Sequence, residues 1–454
     1  MNLENKRVLV VGLAVTGVPL VKVLCNLGAD VIVNDLKGED ELKDSIDELS
    51  GLNVDYILGK HPQTIDSLGH IDLTVVSPGV PLEIPFIREI KNRGIEIIGE
   101  IELAYRLSKG HIIAITGTNG KTTTTALVGE IFRNSGKTTH VLGNIGVAFI
   151  SKALETKEDD IIVIEVSSFQ LESIIDFHPQ VGVFLNLTED HLNRHKTMAD
   201  YEVAKLNLFK NQTEKDFAIL NYDDLRVREA TKNLDATKIY FSRKESLERG
   251  IFVDGEKIVS IDNGNRKEII PIDEIYIPGK HNLENALAAV AISIAMNIDI
   301  EPIVYTLKTF KGVAHRVEAV DIINGVKFVN DSKATNVDAA IKAIEAIDAP
   351  ILLLAGGLDK ETEFDDFINA FNEKVKHMFV YGETARKLLE TANRLNFNDV
   401  TRVNDLEEAV NNAYKMSSEG DTILLSPACA SWDMYKNFEL RGEHFKNIVS
   451  KLRR

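Results

Sequence analysis

The chain has 454 residues, 44% of them hydrophobic and 27% charged, a composition ordinary for a soluble globular protein and a length that suggests roughly three domains. Its formal net charge of −17 argues against sequence-independent nucleic-acid binding, which draws its affinity from Lys and Arg on phosphates, so an anionic ligand must be met by locally gathered positive charge and helix N-termini. Two cysteines, Cys25 and Cys429, cannot build a disulfide framework, and neither a signal-peptide pattern nor an apolar run near the ~20 residues of a membrane helix is present, so the expectation is a cytoplasmic protein with no membrane partner.

Strand and helix signals alternate in three blocks. In the first, about residues 1–98, RVLVVG (7–12), DVIVND (30–35), LTVVSPG (73–79) and IEIIG (95–99) are short, apolar and β-branched, as parallel strands buried on both faces should be. GLAVTG after the first strand is a G-x-A-x-x-G variant of the dinucleotide fingerprint, with Asp35 closing the second strand. Read literally it binds NAD. Ala14, however, stands where the fingerprint has the Gly that admits the pyrophosphate, and a different nucleotide diphosphate is an equal reading.

The second block, about 99–311, carries the most informative stretch, ITGTNGKTTTTALVGEIF (115–132). It follows the apolar strand HIIAIT (111–116) and opens a helix with Ala126, Leu127, Ile131 and Phe132 at helical spacing. Gly117 and Gly120 let the backbone curl so that N–H groups face phosphate oxygens, Lys121 reaches the β- and γ-phosphates, and the Thr122 hydroxyl suits Mg²⁺. Strand, glycine turn, Lys-Thr and helix together predict ATP use. Further on, Glu165 is the single acid in IIVIEVSS, at a strand end where α/β sheets place metal ligands. His191 in TEDHLNRH reads equally as a metal ligand or a loop histidine, and Lys205 in YEVAKLNLF reads by itself as a solvated helix lysine. Residues 238–277 alternate apolar and polar with DG and NG turns, which predicts a small β-hairpin insertion, and residues 278–297 form a Gly turn into an Ala-rich helix. The third block, about 312–454, offers VKFVNDS (326–332), PILLLAGG (350–357), HMFVYG (377–382) and DTILLSPA (421–428) as strands between helices, a second Rossmann-like unit without a dinucleotide fingerprint.

With these pieces in order, the chain resembles the Mur ligases of peptidoglycan synthesis over essentially its whole length. GTNGKTT, EVSSFQLE, NLTEDHL, the AK of YEVAKLN, GKHNLENALAA and the HR of GVAHRVE stand in that family's order and approximate spacing. NDSKATN (330–336), AGGLDK (355–360) and SPACASWDMYKNFELRG (426–442) resemble its D-glutamate-adding branch. Folylpolyglutamate synthetases share the fold and part of this set.

The resemblance implies an α/β fold of three domains: a Rossmann-like N-terminal domain (1–98) for a UDP-linked substrate, a central P-loop ATPase-type domain (99–311), and a Rossmann-like C-terminal domain (312–454) for the amino acid. The implied reaction is ATP-dependent ligation of D-glutamate to UDP-N-acetylmuramoyl-L-alanine through an acyl phosphate, by a monomer. ATP would lie on Gly117, Thr118, Asn119, Gly120, Lys121, Thr122 and Thr123, with Asn282 at the adenine, Arg316 at the phosphates, Asp331 at the ribose, and His315 and Lys333 close by. Lys121, Glu165, His191 and Lys205 would be catalytic. Thr122, Glu165, His191 and a carbamylated Lys205 would hold Mg²⁺, two ions in all. Val15, Thr16, Asp35, Ser77 and Asn144 align with contacts to the UDP-linked substrate, which favours a uridine nucleotide over NAD in the first block. Thr335, Lys360, Ser431 and Phe438 align with the D-glutamate site, although the family's commoner form has Gly-Lys where this chain has Asp359-Lys360, an acid that would partly neutralise the site.

Overall fold

The structure, a computed structural model, describes residues 1–453 apart from 14, 15, 63, 145 and 361, and leaves out the side chain of Asn193. It holds three sheets in two compact units, Met1–Glu274 with Glu284–Leu307, and Ile275–Leu283 with Lys308–Arg454.

In the first unit a five-stranded parallel sheet has the spatial order Val54–Leu58, Asp30–Asp35, Arg7–Val11, Leu73–Val76, Glu96–Gly99. Strand order reverses at Arg7–Val11, whose two neighbours follow it on opposite sides. That reversal opens a crevice at the carboxyl edge. VDYIL (54–58) is a further strand beyond those expected: Asp55 interrupts the apolar run that marks the others, and the strand is only partly buried. The second sheet has nine strands. Its parallel part runs Thr237–Ser242, Phe217–Asn221, Val181–Phe184, His111–Thr116, Ile161–Glu165, Thr139–Gly143, and it reverses at His111–Thr116.

The expected hairpin insertion is instead a continuation of that sheet. Gly250–Asp254 pairs parallel with Thr237–Ser242, and Lys257–Asp262 and Asn265–Pro271 follow antiparallel. The DG and NG turns are where the sequence puts them, with Gly255, Asn263 and Gly264 at positive φ (59°, 48° and 78°) as tight hairpins require. Local alternation reveals a hairpin but not which sheet edge will pair with it.

The second unit builds on a six-stranded sheet in the order Glu318–Ile323, Val326–Asn330, Thr422–Leu425, Ile351–Gly356, Val375–Tyr381, Val400–Arg402, parallel except for the first edge strand. Alternate residues feed two cores. Ile351, Leu353 and Leu424 face one layer of helices, and Leu352, Leu354, Ile423 and Leu425 face the other. Burial on both faces is why these strands read as unbroken apolar runs.

One buried acid ties the first two sheets together. Glu100 opens the helix Glu100–Leu107 directly after the strand Glu96–Gly99, and its carboxylate accepts the Ile150 N–H at 2.7 Å. Its Oε2 is buried without a hydrogen-bond partner, and burial pushes the group up to about 7. The folded protein therefore holds a proton on Glu100 between its ordinary value of 4.5 and about 7 that the unfolded chain has released. The stability linked to this group is full below 4.5 and is lost as pH rises through 7, a fall of about 3 kcal/mol. Glu100→Gln, neutral throughout, should remove that fall. Urea unfolding at pH 5 and pH 8 is expected to show wild type losing more stability than the variant, and parallel losses would contradict the assignment.

Candidate active site

The glycine turn sits at the carboxyl end of the central strand His111–Thr116 and leads into the helix Lys121–Asn134. Gly120 caps that helix in the left-handed region (φ 83°), and a Cβ there would lie 2.3 Å from Asn285 Oδ1, so only glycine fits. The loop is not held by its own turns alone. Thr118 N–H donates to the Asn186 carbonyl (3.0 Å) and Asn119 N–H to the Asn186 side-chain oxygen (2.8 Å). Those two amides are thus occupied by the protein. The N–H groups that open the helix, which have no carbonyl one turn earlier, are the donors suited to an anion. The Lys121 ammonium folds back onto the carbonyls of Gly117 (2.9 Å) and Thr118 (2.8 Å).

A neighbouring strand end, a helix and a loop bring in the remaining groups. Glu165 is the last residue of Ile161–Glu165, and its buried carboxylate accepts from the Thr122 hydroxyl (2.8 Å) and the Asn144 amide (3.0 Å). Among the described residues no Lys, Arg or His lies within ion-pair distance of it. Lys205 rides on the helix Met198–Leu206, whose N-terminus is fixed by Thr197 accepting the Asp200 N–H (3.1 Å). Far from solvated, it is 1% exposed: its ammonium donates to the same Gly117 carbonyl (2.8 Å) and stands 4.7 Å over the Tyr201 ring. Burial, then the neighbouring Lys121 charge, holds the Lys205 pKa well below that of an ordinary lysine, against the pull of Asp190 and Glu165.

His191 adopts a left-handed backbone (φ 56°), packs edge-on to Phe169 (4.9 Å) and faces Tyr201 (6.3 Å). Burial lowers its pKa although Asp190 pulls it up, so the imidazole is neutral at pH 7. Among the described residues no three His, Cys, Asp or Glu side chains cluster as a metal site. A cation here would therefore draw on the Thr122 hydroxyl and on Lys205 in a modified form. A buried carboxylate that forms no salt bridge among the described residues, a hydroxyl bonded to it and a neutral imidazole fit such a group.

In the first sheet, Asp35 ends one neighbour of the central strand Arg7–Val11 and Ser77 follows the other, and Thr16 precedes the helix Gly17–Asn26. The Asp35 carboxylate accepts the N–H groups of Leu13 (2.7 Å) and Lys37 (2.9 Å), so it shapes the turn it was expected to serve as a ligand. Ser77 is buried where a Cβ on Gly12 would approach its own to 2.8 Å, which keeps that turn tight. Val15 lies outside the described residues.

In the second unit, NDSK, AGGLDK and SPACAS follow three adjacent strands and so share one edge. Asp331 accepts from the Ser426 hydroxyl (2.8 Å) and the Val317 N–H (3.1 Å), and burial pushes it up to about 6. Arg316 is flanked by His315 and Val317, both at positive φ (64° and 44°). For a β-branched valine that is strained backbone, a mark of a functional turn. Asn282 donates to the Pro278 carbonyl (2.7 Å) at the start of its helix. Lys333 stands 5.4 Å over the Phe438 ring, and Thr335 N–H donates to the Lys333 carbonyl (2.9 Å). Asp359 turns toward Lys387 (3.8 Å), whereas Lys360 lies over Trp432, so the feared neutralisation of Lys360 by its neighbour is not what the side chains do.

Several residues escaped the sequence reading. Asn186 anchors the phosphate loop from 67 positions away. His195 bonds the Ser168 hydroxyl (2.9 Å), faces Glu172 (3.4 Å) and stacks on Phe169 (5.3 Å), while Arg194 pairs with Glu172 (2.5 Å) and reaches the Val80 carbonyl (3.2 Å). Arg441 is fully buried. It donates to Ser332 Oγ (3.0 Å) and to the carbonyls of Ser332 (2.9 Å), Cys429 (3.0 Å) and Gly356 (3.4 Å), tying all three edge loops together. The one sequence signal was its place inside a long string of unusual residues, since an arginine in a helix otherwise reads as solvated.

A glycine turn with Lys-Thr opening a helix at the switch point of a parallel sheet defines a P-loop nucleotide-binding α/β protein. Comparison with known proteins narrows this class. The chain matches the model of the Mur ligase MurD-like N-terminal domain over residues 6–99, that of the Mur ligase middle domain over 115–293, and that of the Mur ligase glutamate ligase domain over 315–429. It is 66% identical to the UDP-N-acetylmuramoylalanine--D-glutamate ligase of Alkaliphilus oremlandii (strain OhILAs), and 50% identical to the protein of that name from Clostridioides difficile (strain 630), each over 100% of both chains. The chain belongs to the Mur ligase family. The fold agrees: UDP-N-acetylmuramate-alanine ligase MurC from Thermotoga maritima superposes with a TM-score of 0.62 at 18% identity, covering 98% of this chain and 99% of that one. E. coli FolC gives 0.60 at 15% over 79% and 94%.

Arg441 gives this site its most direct structural test. Arg441→Met leaves one hydroxyl and three buried carbonyls without their donor and should cost about 3 kcal/mol or more, with Arg441→Lys recovering part of it. A loss below about 1 kcal/mol in urea unfolding would mean the loops do not depend on it.

Proposed function

We propose that the chain catalyses ATP-dependent addition of D-glutamate to UDP-N-acetylmuramoyl-L-alanine. The observation that carries this reading is the convergence of Lys121 and Lys205 on one carbonyl of the phosphate loop, beside the Thr122–Glu165 pair. The names of its full-length relatives supply the substrates. ATP phosphorylates the carboxylate of the alanyl end, because a carboxylate is a poor electrophile and phosphate supplies a leaving group. The D-glutamate amine attacks the acyl phosphate, and the tetrahedral adduct collapses to amide and phosphate. Protein catalysis of such a transfer is mainly positioning and charge stabilisation.

In this reading residues 1–98 take the UDP moiety through Val15, Thr16, Asp35 and Ser77, with Asn144 toward the muramoyl end. Residues 99–311 take ATP on Gly117 to Thr123, and Lys121 leaves the loop carbonyls to neutralise the moving phosphoryl group. Residues 312–454 supply Arg316 and Asp331 to ATP, as Asn282 does for the adenine, and present Thr335, Lys360, Ser431 and Phe438 to D-glutamate. Thr122, Glu165, His191 and carbamylated Lys205 would hold Mg²⁺, which when bound neutralises phosphate charge. The depressed pKa of Lys205 favours that modification: the neutral amine adds CO₂ and releases a proton, turning a buried cation into an anion. The enzyme acts as a cytoplasmic monomer. Among the described residues no helix is long and apolar enough to cross a membrane, and Cys25 and Cys429 are free thiols.

Phosphate release from ATP with UDP-N-acetylmuramoyl-L-alanine should require D-glutamate and fail with L-glutamate, L-lysine, meso-diaminopimelate or no amino acid. Release with another of these would keep the ligase chemistry and overturn the D-glutamate assignment. Lys121→Ala should abolish turnover while UDP-substrate binding, followed by calorimetry, stays nearly intact. Incubation with ¹³C-bicarbonate should give a carbamate carbon resonance in wild type that Lys205→Ala lacks. Identical spectra would rule out the modification without touching the reaction.

A further inference from the structure

Lys360 and Trp432 lie on two loops that the backbone locks together. Leu358 N–H donates to the Ala430 carbonyl (2.9 Å), Thr384 N–H to the Gly357 carbonyl (3.0 Å), and Glu383 N–H to the Asp433 carboxylate (3.1 Å). At Gly357 a Cβ would come within 2.1 Å of the Ala430 carbonyl, so the loops meet backbone to backbone. Lys360 follows Leu358 by two residues and Trp432 follows Ala430 by two. Their side chains meet with the ammonium 4.7 Å from the indole centroid. Trp432 is 64% exposed, an unusual cost for the chain's single tryptophan unless the ring has a task outside the core. Asp359, one of the two acids that flank Lys360 in sequence, is turned to Lys387.

We propose that Trp432 is a positioning residue of the D-glutamate subsite: its indole face holds the Lys360 ammonium in place to meet a substrate carboxylate. The inference rests on the D-glutamate reading above. A lysine side chain has many rotamers, and ordering it opposes binding. An aromatic face restricts those rotamers while leaving the full positive charge available, which a carboxylate partner would not. A cation–π contact at an exposed site corresponds to a factor of about two to five in an equilibrium.

Two measurements test this on the full-length chain. In the phosphate-release assay, Trp432→Ala and Trp432→Leu should raise the KM for D-glutamate about two- to fivefold and move the KM for ATP and for the UDP substrate less, and Trp432→Phe should recover most of the loss. A Trp432→Ala enzyme with wild-type KM for D-glutamate, or a Phe variant no better than Leu, overturns the proposal. Because Trp432 is the only tryptophan, its fluorescence reads the contact directly. Lys360→Met should change the emission of the ligand-free protein, and an unchanged spectrum also overturns the proposal. Failure of wild type to use D-glutamate at all would instead sink the substrate reading, and the ligand-free spectrum would still report whether Lys360 sits on the ring.

Discussion

Two ammonium groups share one carbonyl oxygen, and the central site is organised around that fact. Lys121 and Lys205 both donate to Gly117, at 2.9 and 2.8 Å, and Lys205 does so from a fully buried position. Like charges so close, one of them fully buried, cannot both be comfortable, so one must lose its proton, change its charge or be joined by an anion. On the other flank of the same loop, Glu165 is buried against a hydroxyl and an amide. The site thus gathers two ammonium groups and a buried carboxylate around one loop. Such an arrangement is costly in an isolated fold and useful for a triphosphate and its cation.

Parallel sheets make that arrangement possible. Each of the three sheets points its carboxyl edge at the residues with chemistry, because every βα loop in a parallel sheet emerges on the same side. This much was legible in the sequence. The strand–glycine–Lys-Thr–helix order has one structural solution, and Glu165, Asp35 and Asp331 end or directly follow apolar runs that could only be buried strands. What could not be read was how the loops are held. Asn186 supports Thr118 and Asn119 across 67 residues, and no periodicity links such positions. Asp35 also accepts two backbone N–H groups, one on each oxygen, a turn-shaping role that its spacing does not reveal.

The second unit was legible as strings rather than as geometry. NDSKATN, AGGLDK and SPACASWDMYKNFELRG are far apart in sequence, and their meeting follows from the adjacency of three strands and from Arg441. That arginine sits on a helix whose polar residues otherwise face water, so its burial is a tertiary fact. Its guanidinium makes four hydrogen bonds to four oxygens on three loops, which no lysine, with three donors, could match. The strained backbone at Val317 is likewise invisible in sequence, since a β-branched residue almost never adopts positive φ.

Two lysines at these sites rest on groups that carry no net charge. Lys205 donates to the Gly117 carbonyl and stands over the Tyr201 ring, and Lys360 stands over the Trp432 ring. With 69 acidic residues against 52 Lys and Arg, carboxylate partners are plentiful elsewhere on this chain. A carboxylate would neutralise the ammonium and would have to be displaced before an anionic substrate could bind. A carbonyl dipole or a π face attracts the ammonium but leaves its net charge intact. In a protein of net charge −17, a lysine held on a neutral group keeps its positive charge available to an anionic ligand.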